Sequence, residues 1–294
     1  MPDLTRQMIE ADDGTHIAVR TAGSGPPLLL LHGFPQNHRC WLKVLPRLAE
    51  RFTCILPDLR GYGDSAAPAD DATNSVYSKR RMAQDMVAVL DALGHDRAHV
   101  AGHDRGARVA YRFALDHPER VDLLAILEVI PTVEWWDRWN AETAYSAYHW
   151  TFLAQPAPLP ERMIGADPAA WIDWTLSSWT KPKTLDPFEA GALASYRAQA
   201  ASPDHLAAMC GDYRAGYFTD RRIDAADRAA GRRIAAPLHF IWGQHGFPAA
   251  TGDPAAIWRN WADTVTDSSV DAGHFAMEEA PEEVAAALLA FFAG

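Results

Sequence analysis

Cysteine is scarce in this chain of 294 residues: Cys40, Cys54 and Cys210 are the only three, far apart and in no zinc-ligand spacing. Their odd number and scatter argue against a disulfide framework and a structural metal site, and predict a reducing, cytoplasmic setting. Long apolar runs are missing too. Leu28–Leu31 and Ala285–Phe292 are the longest, far short of the roughly 20 residues a spanning helix needs, so no membrane partner is expected. Met1 to Gly23 has polar and acidic residues where a signal peptide would be apolar, and no export signal is read there. Positive charge is in short supply, with 27 Lys+Arg against 38 Asp+Glu and a formal charge of −11. Nucleic acid is therefore not an expected partner, although a small basic pocket can still hold a small anion. What remains is 48% hydrophobic and 22% charged, the balance of a soluble globular protein with a substantial core. The length suits two average domains or one large α/β domain with an insertion.

Short β-like runs alternate with helical periodicity, which predicts an α/β fold: a mostly parallel sheet with helices on both faces. The strand candidates are Leu28–Leu31, Thr53–Leu56, His99–Ala101, Leu123–Leu127 and Leu238–Trp242. Trp41, Val44, Leu45 and Leu48 recur at helical spacing, as do Met82, Met86, Val89, Leu90 and Leu93, with Ser78 placed to cap the latter helix. A last helix is expected from Pro281, burying Val284, Leu288 and Phe291. Between about Pro131 and Arg233 the alternation stops and the sequence reads as several helices. That stretch holds Trp135, Trp136, Trp139, Trp150, Trp171, Trp174 and Trp179 out of 11 tryptophans. Most of them suit a small helical core. The expected division is a core of 1–130 and 234–294 with a helical cap, 131–233, inserted after the sixth core strand. Such an insert would cover the carboxyl ends of the strands, where open α/β sheets bind ligands.

Gly102-His103-Asp104-Arg105-Gly106 follows one strand directly and opens the helix of Val109, Ala110 and Phe113. This is a strand, sharp turn and helix whose central side chain projects at the helix head, as in a nucleophile elbow. Alone, Asp104 would read as an ordinary helix cap. Three further segments change that reading. His32-Gly33-Phe34-Pro35 follows a strand where a backbone N–H can join an oxyanion hole. Pro57-Asp58-Leu59-Arg60-Gly61-Tyr62-Gly63-Asp64-Ser65 follows the next strand. Asp271-Ala272-Gly273-His274-Phe275 lies just before the final helix. In this order and spacing the four segments resemble the α/β-hydrolase superfamily over the whole chain.

Within that resemblance an Asp at the elbow implies alkylation of a carboxylate rather than serine acyl transfer. Asp104 would attack carbon and expel a leaving group, and His274 would activate water against the resulting ester. That requires an unprotonated imidazole, so activity is expected to rise through the histidine range of pH. Arg105 and Arg108, three apart on one helix face, can approach a single site. Guanidinium pairs at a helix N-terminus suit a substrate carboxylate, and pairing with structural acids is the competing reading.

The chain closely resembles the fluoroacetate (haloacetate) dehalogenases. The shared pieces run from Gly102-His103-Asp104-Arg105-Gly106-Ala107-Arg108 through His149-Trp150, Phe152-Leu153-Ala154-Gln155-Pro156-Ala157-Pro158-Leu159-Pro160 and Ser178-Trp179-Thr180. They continue in Asp212-Tyr213-Arg214-Ala215-Gly216 and Gly273-His274-Phe275. The resemblance implies Asp104 as nucleophile, His274 as base, and Arg105 and Arg108 as a carboxylate clamp. It implies His149, Trp150 and Tyr213 as halide holders, the Phe34 and Arg105 N–H groups as oxyanion hole, and Trp179 in the substrate channel. It also implies a homodimer and a small haloacid as substrate, and no motif calls for a cofactor or a metal. One position departs from that family: Glu128 stands where its histidine-orienting Asp would be. The other common placement, Trp-Gly-x-x-Asp, is empty in Trp242-Gly243-Gln244-His245-Gly246, with Asp253 seven residues beyond. Glu128 is the expected third residue.

Two alternatives remain at this level. An epoxide hydrolase shares Asp104 and His274 but needs lid tyrosines as acids, with Tyr213 and either Tyr145 or Tyr148 as candidates. A noncatalytic receptor on the same scaffold predicts a broken triad, whereas nucleophile, base and an acid are all present.

Overall fold

The computed structural model describes residues 2–294. Its strands are β1 (Thr5–Glu10), β2 (His16–Ala22), β3 (Pro27–Leu31), β4 (Thr53–Pro57), β5 (Ala98–His103), β6 (Val121–Leu127), β7 (Leu238–Gly243) and β8 (Val265–Val270). They form one sheet in the order β1-β2-β4-β3-β5-β6-β7-β8. β1 and β2 pair antiparallel with each other and β2 with β4, and the remaining pairs are parallel. The central strands are buried and largely apolar because helices cover both of their faces. Along β3 the alternation of strand side chains sends Leu29 and Leu31 into one core and Leu28 and Leu30 into the other. The first core takes Met82, Met86 and Val89 from the helix Lys79–Ala92 and Val109 and Phe113 from Arg105–Asp116. The second takes Val284 and Leu288 from Pro281–Phe292. Ser78 caps the helix Lys79–Ala92, accepting from the Arg81 N–H.

Three strands, β1, β2 and β8, lie outside the five strand candidates. β1 lies at one sheet edge and is mostly exposed, and β2 pairs with it. β8 closes the other edge as Val-Thr-Asp-Ser-Ser-Val, half polar because one side of it meets solvent. The expected helix through Trp41 and Leu48 is instead a 3-10 turn, His38–Trp41, and a single turn, Leu45–Leu48. Pro46 lacks the N–H a longer helix would use and fits only the start of the second turn. In the last helix Phe292, rather than Phe291, is the fully buried ring.

Between β6 and β7 the described residues form helices and no strand, from Thr132–Asp137 to Arg221–Ala229. Three of them, His149–Leu153, Pro168–Trp179 and Pro203–Ala215, bring aromatic side chains over the ends of the central strands. Trp174 does not join this core and is 65% exposed.

Candidate active site

Asp104 sits between β5 and the helix Arg105–Asp116 with φ +47°, a conformation that side-chain-bearing residues rarely adopt. Its N–H donates to Leu127 O at 3.2 Å, which ties the strained turn to β6. Gly33 passes so close that a Cβ there would lie 2.7 Å from Asp104 Oδ1, so only glycine lets this loop reach the carboxylate. The reward for that approach is the next residue. The Phe34 N–H donates to Asp104 Oδ1 at 2.8 Å. Arg105 opens the helix, and the N–H of a first helical residue has no acceptor within its own helix.

The other oxygen, Asp104 Oδ2, faces His274 Nε2 at 3.6 Å, and His274 Nδ1 faces Glu128 Oε2 at 3.4 Å. Glu128 directly follows β6 with φ +65°, and its Oε1 accepts the Gly243 N–H at the end of β7. All three side chains are buried. Asp253 is elsewhere, capping the helix Pro254–Arg259 through the Ala256 N–H at 2.8 Å. Burial alone would push the His274 imidazole down, but the hydrogen bonds and charges of Asp104 and Glu128 override it and raise it to about 9. Burial pushes the Asp104 carboxyl up, and the His274 contact reverses this and holds it far below the usual carboxylate range. At Glu128 burial prevails and the carboxyl is raised.

The two arginines part company. Arg105 Nε and Nη2 both donate to Asp212 Oδ1, at 3.1 and 2.5 Å, leaving Nη1 without a partner. Asp212 also pairs with the buried Lys79. Arg108 pairs with no carboxylate among the described residues. Its Nη1 donates to Ile130 O and Thr132 Oγ1, each at 3.0 Å, and its buried Nε is unpartnered. Burial lowers its affinity for the proton it carries. The structural pairing with an acid weighed for both arginines thus holds for Arg105 alone, and Arg108 is left as a buried cation without a carboxylate partner.

Both guanidiniums lie over the Trp150 ring, Arg108 at 4.5 Å and Arg105 at 5.6 Å from its centroid, and Arg105 also covers Tyr213 at 4.3 Å. The His149 ring is 5.6 Å from that of Tyr213 and 4.2 Å from that of Trp179. Burial pushes the His149 imidazole well below its usual range, and its buried Nδ1 has no partner. A small cavity of about 20 Å³ is lined by Asp104, Arg108, Glu128, His149, Trp150 and His274, among others. Tyr213, Arg105 and Trp179 do not line it. Trp179 lines a wider outer pocket that also reaches His274, together with Tyr145 and Tyr148. Phe247 borders both spaces.

Three further residues support the site without having been nominated for it: Gln199, His103 and Asp212. Gln199, on the helix Ala190–Ala201, donates to Pro35 O and Gln36 O at 2.5 and 3.1 Å and accepts from the Gly63 N–H at 2.8 Å. It thereby ties the inserted helices to the loop that carries Phe34. His103 Nε2 donates to His274 O at 2.7 Å, and the His274 N–H donates to Trp179 O at 2.9 Å. His103 and Asp212 each stand in a segment that carries the resemblance, whereas Gln199 stands in none. Among the described residues no group of three His, Cys, Asp or Glu is placed to hold a metal ion, and no helix is long and apolar enough to cross a membrane.

Residues 26–281 match the family described as alpha/beta hydrolase fold. The fluoroacetate dehalogenase of Burkholderia sp is 38% identical over 286 residues, covering 97% of this chain and 93% of that protein. The soluble epoxide hydrolase of Corynebacterium sp. (strain C12) is 34% identical over 276 residues, covering 93% and 92%. A Pseudomonas aeruginosa mutant structure, provisionally described as an epoxide hydrolase and holding bound MFA, superposes with TM-score 0.93 and 43% identity. That superposition covers 100% of this chain and 97% of the other. Relatives of two activities thus stand side by side, sharing a hydrolytic reaction class and differing in the bond they open. On its fold, its match and its assembled site, the chain belongs to the α/β-hydrolase family and is a hydrolase.

Proposed function

We propose that the chain hydrolyses the carbon–halogen bond of short 2-haloacids, fluoroacetate and water giving glycolate and fluoride. The observation that carries this reading is Arg108: a buried guanidinium with no carboxylate partner, lining the same cavity as the buried Asp104 carboxylate. A buried charge is costly unless it is paired. A substrate carboxylate supplies the missing partner and is held by a planar donor fork as its C2 carbon meets Asp104.

The steps follow from the two oxygens of Asp104. Oδ1 is held by the Phe34 N–H, so Oδ2 is the free nucleophile. It bonds to C2 as the carbon–halogen bond breaks, and the halide leaves with the bonding pair. Fluoride is strongly hydrated, so leaving into a dry pocket requires fixed donors in place of water. The N–H of Trp150, an N–H of His149 and the O–H of Tyr213 are of the right chemical kind. His274 Nε2 then takes a proton from water as the hydroxide adds to the Asp104 ester carbon. The former Oδ1 bears the oxyanion against the Phe34 N–H, with the Arg105 N–H as second donor. Collapse expels glycolate, which leaves with a proton, and the carboxyl of Asp104 ionises again, releasing one proton net. In this reading residues 131–233 serve as the cap, Trp179 borders the substrate channel, and the protein works as a cytoplasmic homodimer without a cofactor.

Epoxide opening needs acids over the nucleophile. Tyr145 is 89% exposed, Tyr145 and Tyr148 line the outer pocket rather than the inner one, and Tyr213 lines neither, so no pair of tyrosines lines the cavity beside Asp104. The test is halide and glycolate release from fluoroacetate and from chloroacetate, beside Asp104→Asn and a panel of terminal epoxides. Release that the variant loses supports the proposal. Diol formation from epoxides with no halide release overturns it.

A further inference from the structure

Glu128 is one methylene longer than the aspartate that the resemblance led us to expect, and it is 1% exposed, so the added length must be accommodated inside the fold. The space lies at Gly246, in the turn that follows β7. A Cβ built on Gly246 would lie 2.8 Å from Glu128 Cδ and 2.9 Å from Oε1. It would overlap Oε2, the oxygen that faces His274 Nδ1. Its three nearest neighbours are all atoms of this one carboxylate. The backbone does not itself demand glycine here, since Gly246 is not among the residues with positive φ. The turn is closed by the Gly246 N–H donating to Gly243 O at 3.0 Å, and the Gly243 N–H donates to Glu128 Oε1. One short turn therefore binds one oxygen of the carboxylate and leaves room for the other.

We propose that Gly246 is a positioning residue for the catalytic base: its missing side chain is the space through which a glutamate at the end of β6 reaches His274. The kinetic part of this inference rests on the two-step reaction proposed above, whereas its geometry does not. A methyl group at 246 meets no backbone before it meets Glu128, so the carboxylate must swing away from Nδ1 or from the Gly243 N–H. An aspartate at 128, shorter by one carbon, would stop before that space and leave the methyl group unopposed.

The experiment compares four proteins: the natural chain, Gly246→Ala, Glu128→Asp and the double variant. The first readout is the pH titration of the His274 imidazole by NMR without substrate. The groups that face this imidazole are Asp104, Glu128 and the neutral His103, and the Glu279 charge acts on Glu128 from the helix Ala276–Glu279. The second readout is the rate of ester hydrolysis in a single turnover of chloroacetate. Gly246→Ala should move the His274 titration down from about 9 by at least roughly one pH unit. It should also slow ester hydrolysis at least about tenfold, part of the 10²–10⁴ that positioned acid–base groups supply. In the Glu128→Asp background the same change should leave both readouts within about twofold, since the obstructed atoms are gone. Equal effects in both backgrounds, or none in the natural chain, overturn the proposal. If Gly246→Ala fails to fold while the double variant folds, the coupling is upheld. If both fail to fold, the glycine serves the backbone and the proposal falls. Absence of haloacid turnover in the natural chain would sink the dehalogenase reading and leave the titration to decide this one.

Discussion

Replacing Arg108 by Met separates a substrate-binding cation from a structural one. The side chain makes two neutral-acceptor hydrogen bonds, to Ile130 O and Thr132 Oγ1, each worth about 1 kcal/mol to folding. Its guanidinium also lies 4.5 Å over Trp150, an interaction of about 1–2 kcal/mol. Against these stands the burial of a cation without a carboxylate, a penalty of several kcal/mol. Methionine fills similar volume without the charge, so folding stability should change by no more than about 1 kcal/mol, or a melting shift within about 3 °C. Binding tells a different story. A carboxylate held by this guanidinium gains about 3–4 kcal/mol from charge-assisted hydrogen bonds and from attraction at an effective dielectric near 20. At 1.4 kcal/mol per decade, Arg108→Met should lower kcat/KM for chloroacetate by about 10²–10³. The neutral 2-chloroacetamide presents no charge to lose and should fall less than about tenfold. Steady-state halide release for both compounds, with calorimetric melting of both proteins, makes the comparison. An equal loss on acid and amide would refute the reasoning. So would a fall of many degrees in melting temperature with activity following it, because the arginine would then be holding the fold.

His274→Asn removes the base and leaves the first displacement intact, so mass spectrometry after substrate should find a carboxymethyl adduct on the Asp104 peptide; halide released in multiple turnovers would contradict that role. For pH, Asp104 is held far below the usual carboxylate range, so the alkylation burst should be flat across neutral pH. Ester hydrolysis should rise with pH toward a limit below about 9, because the ester no longer carries the Asp104 charge that helps hold His274 protonated in the free enzyme. Rapid-quench measurement of the two steps checks this, and a burst that titrates together with hydrolysis would count against it. The same raised imidazole makes a stability statement: its contribution is fully present below pH about 6.5 and is lost as pH rises through about 9. Denaturant midpoints between pH 6 and 10 should therefore decline further for the natural chain than for His274→Asn. Gln199→Leu deletes hydrogen bonds to Pro35 O, Gln36 O and the Gly63 N–H, and should slow ester hydrolysis about tenfold while sparing the alkylation burst. Equal slowing of both steps would make Gln199 a general strut rather than a support of the oxyanion loop.

The buried parallel strands and the elbow are legible in the amino-acid sequence because each is a local pattern. β3, β6 and β7 contain apolar runs, Leu28–Leu31, Leu123–Leu127 and Phe240–Trp242, and a glycine-flanked Asp104 at a strand-to-helix turn advertises itself. His274 and Glu128 can be nominated from their places before the last helix and after a core strand. The edge strands β1 and β8 escape because half of each faces solvent, and a polar half-strand looks like a loop. The helix expected through Leu45 fails because periodicity does not register that Pro46 can only begin a turn.

What the sequence by itself determined is therefore the fold class, the order of its parts and the chemical types gathered at the site. Tertiary structure decided how those types are used. Arg105 and Arg108 share one helix face, yet Asp212, 107 residues from Arg105, engages one and leaves the other without a carboxylate. Gln199 and Gly246 have no local signature because their partners, Pro35 and Glu128, lie far away along the chain. The physical reason is common to all of them: charge pairing, hydrogen bonding and excluded volume act between whatever atoms the fold brings within a few ångströms. Local periodicity records which face of an element is buried, and it does not record which distant side chain lies against that face.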